Sequence, residues 1–143
     1  MNQAELQKLA EERLQDAKTL IDAGRWEFGY YAAGYAVECA LKSCILARMI
    51  YTAWIFEERW DAKVCLTHDF AKLVQLAGLT DQLNAALTAS AAAGKEFAVN
   101  WATVKEWTVT SRYNAKAEAD AKSLYAAIAD NPYGVLRWIR TYW

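Results

Sequence analysis

The sequence predicts an all-α protein, an antiparallel up-and-down helical bundle of four to six helices, and three observations lead there. Only one Pro and six Gly interrupt its 143 residues, so few positions carry the cost of breaking a helix. Apolar residues recur three and four positions apart in most segments, the spacing that lines one side of a helix. Apolar types make up 55% of the chain, including seven Trp, eight Tyr and four Phe, enough to offset the ordering entropy without a disulfide or metal staple. At 16.1 kDa the chain reads as a single domain over 1–143.

The first helix is expected over about Gln3–Ala23, with Leu6, Leu9, Ala10, Ala17, Leu20 and Ile21 on one face. Asn2 and Glu5 have the spacing of a capping pair, and Gly24 closes the segment. A second, long helix is predicted over about Trp26–Trp54, with Gly29, Ala33, Ala36, Ala40, Ser43 and Ala47 forming a stripe that lets neighbouring helices come close. The stretch from Glu57 to Val64 is charged and aperiodic. Thr67 is expected to cap a short helix from His68 to Ala77, with Asp69 in its first turn and Gly78 after its end. Thr80 should cap the next helix, running to Gly94, and irregular structure is expected from Lys95 to Thr110, with Thr108, Val109 and Thr110 extended. Asn114 is read as the cap of a further helix, and Asn131, followed by Pro132, as the cap of the last.

Charge and composition narrow the function classes. Sixteen Lys and Arg stand against 17 Asp and Glu, with a net charge of −1, so no broad cationic face is available for coating DNA. Glu38, Lys42 and Arg48 cut the most apolar region, Phe28 to Phe56, into runs of ten residues or fewer. A membrane span needs about 20 apolar residues, so none is expected. The first residues lack the basic and apolar regions of a signal peptide, and three cysteines suit a reducing compartment, which together predict a cytoplasmic protein. No P-loop, GxSxG or HExxH pattern is present, and no cofactor is expected.

The run Gly24-Arg25-Trp26-Glu27-Phe28-Gly29-Tyr30-Tyr31-Ala32-Ala33-Gly34-Tyr35-Ala36-Val37-Glu38-Cys39-Ala40-Leu41-Lys42 resembles the signature of the HEPN domain, the higher eukaryote and prokaryote nucleotide-binding family. Thr67-His68-Asp69-Phe70 with Leu73 is similar to that family's His-Asp helix start, and Ser111-Arg112-Tyr113-Asn114 to its Arg-Tyr block. Gly134-Val135-Leu136-Arg137-Trp138-Ile139 is similar to the closing helix of several members. The resemblance implies a helical bundle that often dimerises. It implies one of three roles: a metal-independent ribonuclease, a partner of a small nucleotidyltransferase in a toxin–antitoxin pair, or a binding module without a reaction. Fold alone does not choose among them.

The family's ribonuclease motif places a His after an Arg with four to six residues between them, so that one acts on the ribose hydroxyl and the other stabilises charge on phosphorus. Here the positions downstream of Arg112 hold Ala117, Glu118 and Ala119, and those upstream of the single histidine, His68, hold Asp61, Ala62 and Lys63. Lys63 has the right spacing, but an ammonium is a poor substitute for a guanidinium.

Tyr31, Tyr35, Glu38 and Lys42 follow one another at helical spacing and should share a side of the second helix. One reading has Lys42 and Arg112 holding a phosphate while Tyr35 or Tyr113 stacks on a base. The other has Glu38 pairing with Lys42, or with Arg112, to hold the bundle in register. His68 and Asp69 are either a titrating pair or a helix cap, and Arg112 with Tyr113 either binds a ligand or anchors a loop. Cys39, Cys44, Cys65 and His68 make up a zinc inventory, yet Cys39 and Cys44, five apart, point about 140° away from each other, and no metal is expected. The aromatic C-terminus, Trp138, Tyr142 and Trp143 with Arg137 and Arg140, suits internal packing or half of a homodimer interface.

The leading expectation is a non-catalytic module, a homodimer or partner subunit, that binds a nucleotide, RNA or a nucleotidyltransferase through Tyr35, Glu38, Lys42, His68, Asp69, Arg112 and Tyr113. A ribonuclease using His68 with Lys63 or Arg112, and a purely structural bundle, are the alternatives.

Overall fold

Asn2 and Glu5 start the first helix as their spacing demands: Asn2 Oδ1 accepts from the Glu5 N–H at 2.9 Å and Glu5 Oε2 from the Asn2 N–H at 2.8 Å. Two otherwise unpaired amides are thereby satisfied. The computed structural model describes residues 1–52 and 62–143, and among them every regular element is helical. These are α1 (Gln3–Asp22), α2 (Trp26–Thr52), α3 (Phe70–Leu76), α4 (Thr80–Thr88), α5 (Ala92–Val104), α6 (Glu118–Ala129) and α7 (Val135–Arg140), with 3-10 turns at Ala62–Leu66 and Val109–Tyr113. The predicted end of the second helix at Trp54 and the charged stretch from Glu57 to Asp61 lie outside the described residues.

The 27 residues of α2 span about 40 Å and form the spine, packed against α1, α3, α6 and α7. Gly24, at φ +76°, reverses the chain between α1 and α2: its N–H donates to Ile21 O and that of Arg25 to Leu20 O. Gly29, Ala33, Ala36, Ala40 and Ser43 are buried, and a Cβ on Gly29 would come within 2.6 Å of Ile21 Cγ1. The small-residue stripe thus sets the close approach of α1, whose Ala10, Leu14, Ala17 and Ile21 are buried. Arg140 closes the bundle by forking onto Glu11 with two bonds of 2.7 Å, and Cys44 Sγ lies 3.9 Å from Ile139 O. No helix among the described residues is long and apolar enough to cross a membrane.

Several element boundaries depart from expectation. The third helix is capped by Asp69, not Thr67, and begins at Phe70; the Thr67 hydroxyl instead accepts from the Asp69 N–H. Thr80 is the first residue of α4 and Leu79 its cap. Gly94 does not end a helix. It sits in the first turn of α5, where a Cβ would strike Ala89 O at 2.2 Å, so its lack of a side chain serves a close contact. The segment expected to be irregular is helical to Val104 because Phe97, Trp101 and Val104 reach the core on one face. Thr108 is extended as predicted, but Val109 and Thr110 join a 3-10 turn. Asn114 ends that turn, and α6 starts only at Glu118, after the Asp120 carboxylate reaches back to the Ala117 N–H. Asn131 is drawn away from capping by Arg137, whose guanidinium donates to its side chain at 2.8 Å, so Gly134 precedes α7. The C-terminal aromatics pack internally, with Trp138 against Phe97 and Tyr142 at 5.5 and 5.3 Å between ring centres.

Candidate functional site

Helical spacing puts Tyr31, Tyr35, Glu38 and Lys42 along one side of α2. At Tyr31 and Tyr35 this side borders α1, sharing a cavity with Arg13, Asp16 and Leu20, and two distant stretches of chain, around His68 and from Trp107 to Arg112, cover the rest. The Tyr31 and Tyr35 rings stack 6.0 Å apart. Beyond them the Glu38 carboxylate, 2% exposed, receives Lys42 Nζ on Oε1 at 2.7 Å and His68 Nδ1 on Oε2 at 2.8 Å.

His68 reaches Glu38 because the segment before α3 is pinned. The Thr67 hydroxyl accepts from the Asp69 N–H at 3.2 Å and Asp69 Oδ1 from the Lys72 N–H at 3.1 Å. Asp69 is thus the helix cap, and its neighbour leans over α2. A carboxylate oxygen accepts hydrogen bonds, so Nδ1 of His68 is the donor of this contact, and Nε2 is the ring nitrogen left to other partners. Nε2 has no partner among the described residues, and the side chain is 45% exposed. Burial, assisted by Cys39 and Glu38, pushes the Tyr35 phenol above its ordinary pKa and keeps it a neutral hydroxyl.

Trp107, missed as a site element in the sequence, holds this surface together. Its indole stacks on Phe70 at 5.2 Å, lies 5.9 Å from Tyr31 and rests on Gly34, where a Cβ would come within 2.3 Å of the ring. Only glycine at position 34 admits it. The signal was the third glycine of the quoted run, although its partner, 73 positions later, gave no sign in the sequence. Beside Trp107 opens a cavity of about 420 Å³ bordered by His68, Asp69, Phe70, Lys105 and Thr108.

Arg112 comes from the 3-10 turn that buried Ser111 locks to Thr108, accepting from the Thr108 N–H at 3.3 Å. Its guanidinium lies 5.9 Å from the Tyr31 ring centre and 4.8 Å from that of Tyr113, which is 76% exposed. Among the described residues Arg112 forms no ion pair, and Glu38 pairs with Lys42 and His68 instead. Tyr31 and Glu38 are seven residues apart, about 10 Å along the axis. Arg112, beside Tyr31, and Lys42, beside Glu38, therefore stand at two levels of one face. Cys39 and Cys44 are buried, which pushes their thiols up to about 11 and about 12.

Comparison with known proteins adds one positive result. No curated protein and no solved structure matches the chain. The HEPN domain family model matches residues 4–131, nearly the whole of the helical body just described, and the chain belongs to the HEPN domain family.

Proposed function

We propose that this chain is a single-domain, non-catalytic HEPN module of the cytoplasm that binds a nucleotide or a short RNA strand across the outer face of α2. The observation that carries this reading is the stacked pair Tyr31 and Tyr35 with the unpaired Arg112 guanidinium beside it. Aromatic faces accept bases, and each stacked base is worth about 1–3 kcal/mol. Arg112 supplies the phosphate contact at one end. His68 and Lys42, both held by Glu38, supply polar contacts at the other. Tyr113 lies at the solvent edge, where a further base can stack. The module works as a homodimer or beside a nucleotidyltransferase, in a toxin–antitoxin or defence setting.

Fluorescence anisotropy with a labelled mixed-sequence RNA oligonucleotide and with ATP tests the reading. Arg112→Ala and Tyr113→Ala alter exposed side chains and should each weaken binding about tenfold, corresponding to roughly 1.4 kcal/mol. Binding absent from the wild type, or indifferent to both changes, overturns it.

One observation favours a second reading, ribonuclease activity. A buried carboxylate on Nδ1 with Nε2 open to solvent is the arrangement that orients a histidine as a general base. RNA cleavage in the presence of chelator, abolished by His68→Ala, would replace the non-catalytic reading.

A further inference from the structure

Tyr30 and Tyr31 point about 100° apart around α2, and one stretch of chain sends a cation to each. Arg112 lies near Tyr31, while Lys116 places its ammonium 4.4 Å from the Tyr30 ring centre. The Tyr30 side opens on a separate cavity of about 470 Å³ between α2, α5 and α6, bordered by Val99, Thr103, Glu106, Lys116 and Asp120.

The polar groups of this cavity are open to solvent and largely without protein partners among the described residues. Tyr30 is 7% exposed, yet its hydroxyl has no hydrogen-bond partner among the described residues. Glu106 and Asp120 border the same cavity as Tyr30, and burial, then these two carboxylates, push the phenol above its ordinary pKa. Glu106 has neither an ion pair nor a hydrogen bond among the described residues, and Asp120 uses only Oδ2, on the Ala117 N–H at 3.0 Å. Lys116 supplies one positive charge to the ring face and pairs with neither carboxylate.

We propose that this cavity is a binding site for a linear alkyl diammonium ligand, a polyamine. One ammonium takes the Tyr30 ring face from Lys116, and the other meets Glu106 and Asp120. The hydrocarbon between them lies along Val99, which is 66% exposed. One aromatic face and two carboxylates call for two positive charges joined by an apolar linker. The volume falls in the range of small-molecule sites, about 300–1,000 Å³. A hydrated divalent metal has no use for the aromatic face. The site shares no residue with the proposed RNA face, so either assignment stands without the other.

Isothermal titration of the full chain with 1,4-diaminobutane and spermidine, against butylamine and Mg²⁺ at matched ionic strength, tests the site. Saturable one-to-one binding of the diamine and triamine is expected, with butylamine and Mg²⁺ much weaker. Glu106 and Lys116 lie outside the core, so their variants fold, as circular dichroism would verify. Glu106→Gln should weaken the diamine about threefold, and Lys116→Ala, which removes the internal competitor, should tighten it about threefold. No saturable binding, equal binding of butylamine or Mg²⁺, or a Lys116→Ala variant that binds no more tightly overturns the proposal.

Discussion

The two sides of α2 solve different problems. Toward α1 the helix presents Gly29, Ala33, Ala36, Ala40 and Ser43, and stability there comes from backbones brought close by small residues. On the outer side it presents Tyr31, Gly34, Tyr35, Glu38 and Lys42, and there a carboxylate that is 2% exposed meets an ammonium that is 23% exposed and an imidazole that is 45% exposed. A bundle needing only stability gains little from that exchange, since a buried ion pair seldom beats apolar residues of similar volume. The contrast is between a face that packs and a face proposed for recognition, and the following measurements break or sharpen it.

The largest effect is expected where the two faces meet the Trp107 ring. Gly34→Val sets a side chain where the indole lies, and overpacking of this kind should cost about 3 kcal/mol, read as a lower urea midpoint. An unchanged midpoint would mean that Trp107 is not seated on α2.

Next comes the ion pair. Lys42→Met leaves Glu38 with His68 alone and should cost about 2 kcal/mol, less than for a fully buried pair because solvent reaches both of its partners. Glu38→Leu combined with Lys42→Met should restore most of that loss without restoring RNA binding, separating stability from recognition in one mutant cycle. If RNA binding survives in the double variant, the polar cluster is structural only.

A further effect is alkaline. Cys39 and Cys44 have folded-state pKa values raised by burial to about 11 and about 12, above the ordinary thiol value of about 8.5. Below that value both states keep the proton and stability is independent of these groups. Above it the unfolded chain loses protons first, so stability should fall as pH rises from about 9. Tyr30 and Tyr35, also shifted upward, act in the same direction. Urea midpoints at pH 7 and pH 10 read the effect, and an equal or higher midpoint at pH 10 would contradict the burial of the seam. At pH 8, Cys65, the least buried of the three, should react first with a thiol reagent.

What the sequence revealed follows the same division. Capping pairs and periodic faces are local, so α1, the turns at Gly24 and Gly78, and the shared side of Tyr31, Tyr35, Glu38 and Lys42 were legible. The caps of α6 and α7 were not, because Asp120 and Arg137 compete for the same backbone and side-chain groups that Asn114 and Asn131 would need. Gly94 was misleading because glycine ends helices and also admits close contacts, and only the fold reveals the Ala89 carbonyl above it. At the site, residue types were readable and pairings were not: that Glu38 takes His68 from 30 positions away, and leaves Arg112 to the tyrosines, depends on how α3 and the 3-10 turn dock.

His68 is the only histidine, so its Cε1 proton gives one assigned signal in a two-dimensional NMR spectrum of the carbon-13 labelled chain. Titrating in the RNA oligonucleotide should move that signal in a saturable way, with the same midpoint as the anisotropy curve, because the strand lies across the face where His68 meets Glu38. A His68 signal that stays fixed throughout the titration would contradict the assignment of this face to RNA.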